Sequence, residues 1–143
     1  MKKTGLLLAL ALSAAAALAT PTYTNDYNKD GAPDQWYEMS GNHVTAVSMD
    51  RNYDGEVDYV VQYDTGGRKI SEEMDYNYDG VMDDSYFYEA GKLIREEIDS
   101  NYDGRVDVWV FLDGLYIRRY EVDTDFDGTV DRVKDYAADS EQD

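Results

Sequence analysis

The stretch Asp75-Tyr-Asn-Tyr-Asp-Gly-Val-Met-Asp83 decides the reading of this chain, because it recurs. The other copies are Asp26-Tyr-Asn-Lys-Asp-Gly-Ala-Pro-Asp34, Asp50-Arg-Asn-Tyr-Asp-Gly-Glu-Val-Asp58, Asp99-Ser-Asn-Tyr-Asp-Gly-Arg-Val-Asp107 and Asp123-Thr-Asp-Phe-Asp-Gly-Thr-Val-Asp131. Their first aspartates stand at 26, 50, 75, 99 and 123, a spacing of 24 or 25 residues. Self-similarity at such a period marks a repeat architecture. Across the copies, positions 1, 5 and 9 are always Asp and position 6 is always Gly. Position 3 is Asn four times and Asp125 in the last copy. Position 7 is Ala32, Glu56, Val81, Arg105 or Thr129, so its side chain is unconstrained.

This is the ligand chemistry of a calcium loop. Ca²⁺ takes about six to eight oxygens, and alternate side chains at positions 1, 3 and 5 converge on one ion. Gly at position 6 permits the sharp turn with positive φ. Position 7 then offers its backbone carbonyl, and Asp at position 9 closes the shell. The expected ligands are Asp26, Asn28, Asp30 and Asp34; Asp50, Asn52, Asp54 and Asp58; Asp75, Asn77, Asp79 and Asp83; Asp99, Asn101, Asp103 and Asp107; and Asp123, Asp125, Asp127 and Asp131. Up to five Ca²⁺ ions are implied. A metal-free turn accounts for Asn and Gly, but not for three invariant aspartates in every copy. That many carboxylates crowded together repel one another without a cation.

An EF-hand loop ends in Glu at position 12 and leads into a helix. Here position 12 is Tyr37, Val61, Tyr86, Val110 or Lys134. The residues that follow, such as Tyr59-Val-Val-Gln-Tyr63 and Val108-Trp-Val-Phe-Leu112, are β-branched and aromatic, which favours strands. Turn signals come next at Ser40-Gly-Asn42, Asp64-Thr-Gly-Gly67, Glu89-Ala-Gly91 and Asp113-Gly114. Second strands follow, as in Lys69-Ile-Ser-Glu-Glu-Met74 and Leu93-Ile-Arg-Glu-Glu-Ile98. Each repeat therefore reads as calcium loop, strand, turn, strand.

In these residues the chain resembles the strand-connecting D-x-D-x-D-G-x-x-D loops of FG-GAP/VCBS-type repeat proteins and of thrombospondin type 3 repeats. The segment Tyr63-Asp-Thr-Gly-Gly-Arg-Lys-Ile70 is also similar to the YD repeats of Rhs-type secreted proteins. The resemblance implies calcium ligation at the loop positions given above. It does not carry a propeller with it, since propeller blades use about four strands and these repeats have two.

The expected fold is all-β: an antiparallel meander of about nine strands, either an open twisted sheet or a small barrel, with all five loops along one edge. In the first strands Tyr59 and Val61, or Val108 and Val110, share a face. In the second, Ile70 and Met74, or Ile94 and Ile98, do so. Trp36 and Trp109 occupy the same repeat position, and Tyr53, Tyr78, Tyr102 and Phe126 share loop position 4. The expectation is that the latter rings cover neighbouring loops.

Composition narrows the functions. The 143 residues include no Cys, which excludes disulfides, Cys-based zinc sites and thiol nucleophiles. Thirty-one acids against 13 Lys and Arg give a net charge of −18, the wrong sign for a nucleic-acid binder. A content of 43% hydrophobic and 13% aromatic residues argues for a folded chain despite that charge. Lys2, Lys3, the apolar run Leu6 to Ala17 and Ala17-Leu-Ala19 have the layout of a bacterial secretory signal peptide, residues 1–19. A β-repeat domain over 20–136 and an acidic tail over 137–143 follow. The exported form would hold 11 bases against 31 acids, a net of −20, with no membrane span, at the cell surface or in the periplasm.

His43 is the lone histidine and sits at a turn, and the paired acids Glu72-Glu73 and Glu96-Glu97 alternate across a strand. No nucleophile, base and oxyanion donor assemble, so catalysis is not expected. The sequence reads as a secreted, non-enzymatic calcium-binding repeat protein, structural or adhesive, whose folding is coupled to Ca²⁺. The alternative is a calcium-scaffolded module that binds a surface glycan or protein.

Overall fold

The structure is a computed structural model that describes residues 23–136. The expected signal peptide and acidic tail lie outside the described residues. Ten strands form one antiparallel meander in sequence order. They are β1 (Tyr23–Asn25), β2 (Gln35–Ser40), β3 (His43–Met49), β4 (Tyr59–Tyr63), β5 (Lys69–Met74), β6 (Asp84–Glu89), β7 (Lys92–Ile98), β8 (Val108–Asp113), β9 (Tyr116–Val122) and β10 (Arg132–Asp135). No helix occurs among the described residues. The strand beyond the expected nine is β1. Three residues are too few to show a period in sequence, and β1 exists because β2 offers it a register, with Tyr23 opposite Tyr37 and Asn25 opposite Gln35. Of the two expected forms, the sheet is open: β1 and β10 are its two ends and are not paired with each other.

A meander with one loop and one turn per repeat puts all five loops at one end of the strands and the four tight turns at the other. The turns are glycine-assisted, with Gly41, Gly91 and Gly114 at φ of +61°, +79° and +63°. Each hairpin also carries a bulge near its turn. Thr45, Ile70, Ile94 and Arg118 are skipped in the four registers. These bulges take Ile70 and Ile94 out of strict alternation with Met74 and Ile98, and both isoleucines are exposed. Bulges raise local twist, and their recurrence distributes it evenly along the sheet.

Cross-strand pairing places Met49, Tyr59, Met74, Ile98, Val108 and Val122 in one row, and Tyr37, Val47, Val61, Val110 and Tyr120 in the next row on the same face. Glu72, Asp84 and Glu96 interrupt this apolar face in the middle strands. The opposite face carries Trp36, Val60 and Trp109 among Ser48, Glu73, Glu97 and Glu121. Glu72 is held by Lys69 Nζ at 2.6 Å and Tyr59 Oη at 2.5 Å. The acids pair with bases of their own strands, Glu72 with Lys69 and Glu97 with Arg95.

Because the sheet is a single layer, little apolar side chain is fully buried. Among the described residues, Ala46, Val47 and Val61 are the buried hydrophobic ones, whereas eight loop aspartates are buried: Asp34, Asp50, Asp58, Asp75, Asp83, Asp99, Asp107 and Asp123. The most enclosed side chains of this fold therefore include the aspartates at the two ends of its loops, while the residues between them are exposed.

Candidate metal-binding loops

Each loop is folded around its own carboxylates. The Oδ2 of position 1 accepts the N–H of the position-6 glycine in all five: Gly31 at 3.0 Å, Gly55 at 2.8 Å, Gly80 at 2.8 Å, Gly104 at 2.6 Å and Gly128 at 2.7 Å. Its Oδ1 accepts the N–H of position 4 in the first three loops, Lys29, Tyr53 and Tyr78, each at 2.6 Å. Position 4 is in left-handed backbone in all five loops, with φ of 63°, 64°, 61°, 62° and 60° from Lys29 to Phe126, whether or not this bond forms. Bulky side chains rarely adopt that region. The glycines, at φ between 84° and 97°, adopt it without steric cost.

The other positions are as regular. The Oδ1 of position 5 accepts the N–H of position 7 at 2.8 Å for Ala32, Glu56 and Thr129, 2.9 Å for Val81 and 3.0 Å for Arg105. The Oδ2 of position 9 accepts the N–H of position 2 in every loop, from Tyr27 at 2.7 Å to Ser100 at 3.0 Å. Every invariant aspartate thus has a backbone partner of its own, a metal-free reason for its invariance that the sequence reading did not find. Neighbouring loops are also tied directly. The N–H of position 1 donates to the carbonyl of position 9 in the preceding loop: Asp50 to Asp34 at 2.9 Å, Asp75 to Asp58 at 2.9 Å, Asp99 to Asp83 at 2.7 Å and Asp123 to Asp107 at 2.8 Å.

Position 3 separates the loops into two kinds. In the first four, the Asn Nδ2 donates to the position-5 carboxylate: Asn28 to Asp30 at 2.9 Å, Asn52 to Asp54 at 2.7 Å, Asn77 to Asp79 at 3.0 Å and Asn101 to Asp103 at 3.1 Å. The N–H of Ala32 and then the Asn28 amide hold the Asp30 carboxyl below its ordinary range, and Glu56 N–H and Asn52 do the same for Asp54. In the fifth loop Asp125 has no amide to offer. Asp127 and Asp131 push its carboxyl up by charge repulsion. Asp123, Asp125 and Asp131 bring one oxygen each to within 4.8 Å of the others, and among the described residues this is the group of three carboxylates so gathered. Asp127 is outside that triad and caps Thr129.

Position 2 plays a part that its varied sequence concealed. Arg51 Nε lies 2.6 Å from Asp58 Oδ1, and its Nη2 donates to the Asp75 carbonyl of the next loop at 3.0 Å. Ser100 Oγ donates to Asp107 Oδ1 at 2.8 Å. Tyr76 makes no such bond, and Asp83 Oδ1 is left buried without a partner. Two of the position-4 rings lie by the preceding loop: Tyr78 is 6.0 Å from the Arg51 guanidinium, and Phe126 lines a small cavity with Asp103 and Asp107.

The donors fit a hard cation, being carboxylate, amide and carbonyl oxygens with no nitrogen or sulfur ligand. A carboxylate has about four lone-pair sites, so an oxygen that accepts an N–H can also face an ion. No protein-family model matches the chain, and no curated protein is similar to it. Among solved structures, it is similar to part of a chain in the structure of accessory secretory protein 1, 2 and 3 in Streptococcus pneumoniae, at 13% identity and a TM-score of 0.45, covering 74% of this chain and 22% of that one. It is also similar to part of the GtfA/B complex bound to UDP and GlcNAc, at 15% identity and a TM-score of 0.48, covering 82% of this chain and 27% of that one. The chain thus spans well under two thirds of either of those proteins.

Proposed function

We propose that this chain is a non-enzymatic calcium-binding repeat protein, exported from a bacterium, whose role is structural or adhesive. The observation that carries the reading is the row of five equivalent loops, each built around oxygen donors at positions 1, 3, 5 and 9. In each loop those four side chains and the position-7 carbonyl would hold the ion. The loop aspartates number 16, and five Ca²⁺ would offset +10 of that charge. Asn at position 3 lowers the ligand charge in four loops, which places affinity in the range of extracellular modules, about 10⁻⁴–10⁻³ M.

Calcium is then a folding ligand. A site held at a hundredfold excess over its Kd stabilises the fold by about 2.7 kcal/mol. With only Ala46, Val47 and Val61 as buried hydrophobic residues among the described residues, five such contributions decide whether the sheet persists. The test is far-UV circular dichroism of the EDTA-stripped protein, titrated with Ca²⁺ and, as control, Mg²⁺. A β-type signal or a melting temperature that rises with Ca²⁺ up to about 10 mM is expected. A folded protein whose melting temperature is the same in EDTA and in calcium overturns the proposal. The aspartates would then serve only as caps for the loop N–H groups.

A further inference from the structure

We infer that the protein assembles head to tail with further copies of itself, β10 of one chain pairing with β1 of the next so that sheet and loop row continue unbroken. The argument rests on the strand registers and not on the metal reading. Inside the chain, one interface is used four times. A strand that follows a loop pairs with a strand that precedes the next loop, as β2 does with β3 and β8 with β9. Its register is constant: Gln35 faces Met49, Tyr59 faces Met74, Asp84 faces Ile98 and Val108 faces Val122. The same interface carries the bond from the Asp N–H of one loop to the Asp carbonyl of the loop before it.

The two ends of the molecule are the two halves of that interface. β10 follows a loop and β1 precedes one, and among the described residues each is paired on one side only. Backbone groups alternate in direction along a strand. The Tyr136 N–H donates inward to the Arg118 carbonyl at 2.8 Å, which leaves Val133 with its N–H and C=O turned outward. By the register of the internal repeats, Arg132 would face Asn25 of the next copy, Val133 would face Thr24, and the Asp131 carbonyl would accept the Asp26 N–H. Charge is mixed at this joint: β10 brings Arg132 and Lys134 together with Asp135, and the four aspartates of the fifth loop come beside Asp26, Asp30 and Asp34, so the backbone register and not charge carries the pairing. An interface made of unlike halves does not close on itself as a two-fold dimer does; it propagates. The short β1 and the basic residues on β10 keep the edges from pairing indiscriminately and make the joint weak.

The test is sedimentation velocity of the purified protein in calcium, up to about 1 mM chain, with circular dichroism confirming that every sample is folded. The parent should form a series of dimers, trimers and longer species. Thr24→Pro removes the outward N–H of β1, and Val133→Pro that of β10, a position where an edge strand tolerates proline. Each variant alone should be monomeric, and an equal mixture should form a heterodimer and stop there. If either proline variant unfolds, Thr24→Lys mixed with Val133→Glu should associate several-fold more tightly than Thr24→Lys mixed with Val133→Lys, because opposite charges would then face each other. A parent that stays monomeric throughout, singly blocked variants that dimerise alone, or a charge pair that makes no difference overturns the inference.

Discussion

At position 3 the fifth loop and the four before it differ in one side-chain atom, Asp125 against Asn28, Asn52, Asn77 and Asn101. Where loops one to four present an amide nitrogen at position 3, the fifth presents a second carboxylate oxygen. The amide donates to the position-5 aspartate, so in those four loops one carboxylate has a hydrogen-bond donor instead of a further negative neighbour. In the fifth, Asp125 meets Asp127 and Asp131, and its carboxyl is raised instead. The same fold thus holds four loops whose position-5 carboxylate accepts an amide hydrogen bond and one whose position-3 carboxyl meets repulsion in its place. On the calcium reading, the fifth loop fills first.

The largest expected effect tests what the two kinds of loop have in common. Asp75 is 1% exposed and accepts the N–H groups of Tyr78 and Gly80. Asp75→Ala leaves both donors without their acceptor and should cost about 3 kcal/mol, read from the urea midpoint. Asp123→Ala, which strands the Gly128 N–H in the fifth loop, should cost a similar amount. A far smaller loss there would show that the last loop is peripheral to stability, and the comparison would fail.

An exchange at position 3 should have a smaller effect and opposite signs. In EDTA, Asn77→Asp removes the bond to Asp79 and adds a like charge, which should destabilise by about 1 kcal/mol. Asp125→Asn should raise the EDTA melting temperature by relieving repulsion. In calcium the order should reverse, because a fourth carboxylate strengthens ligation. Melting curves of both variants in the two buffers check this, and parallel shifts in all four would remove position 3 as the distinguishing feature.

The smallest effect is in the pH dependence. A carboxyl lowered in the fold, such as Asp30 or Asp54, favours folding above the ordinary carboxylate range. That contribution is lost as pH falls through its folded pKa. Asp125 has the opposite sign: its raised carboxyl opposes folding when ionised, and acid relieves it. Carboxyl-carbon NMR in EDTA should show Asp125 protonating first as pH falls, with Asp30 and Asp54 following at lower pH. Asp125 titrating below Asp54 would break the comparison at its electrostatic root.

The period, the all-β class, the loop–strand–turn–strand order and the placing of all loops at one end were legible in the residues. They depend on local properties: β-branched and aromatic runs, glycine at turns, and a motif that recurs every 24 or 25 residues. Tertiary structure alone decided what depends on a distant partner. β1 is a strand because Tyr37 and Gln35 lie beside it. The bulges at Ile70 and Ile94 arise from pairing across a hairpin. Whether the sheet stays open is settled by accumulated twist between strands, which no single repeat encodes. The part of position 2 is not legible in sequence because arginine, serine and threonine reach the position-9 carboxylate in different ways. Burial made the sharpest difference: the sequence marks the aspartates as polar and turn-forming, and only their place between neighbouring loops makes eight of them more enclosed than almost any apolar side chain.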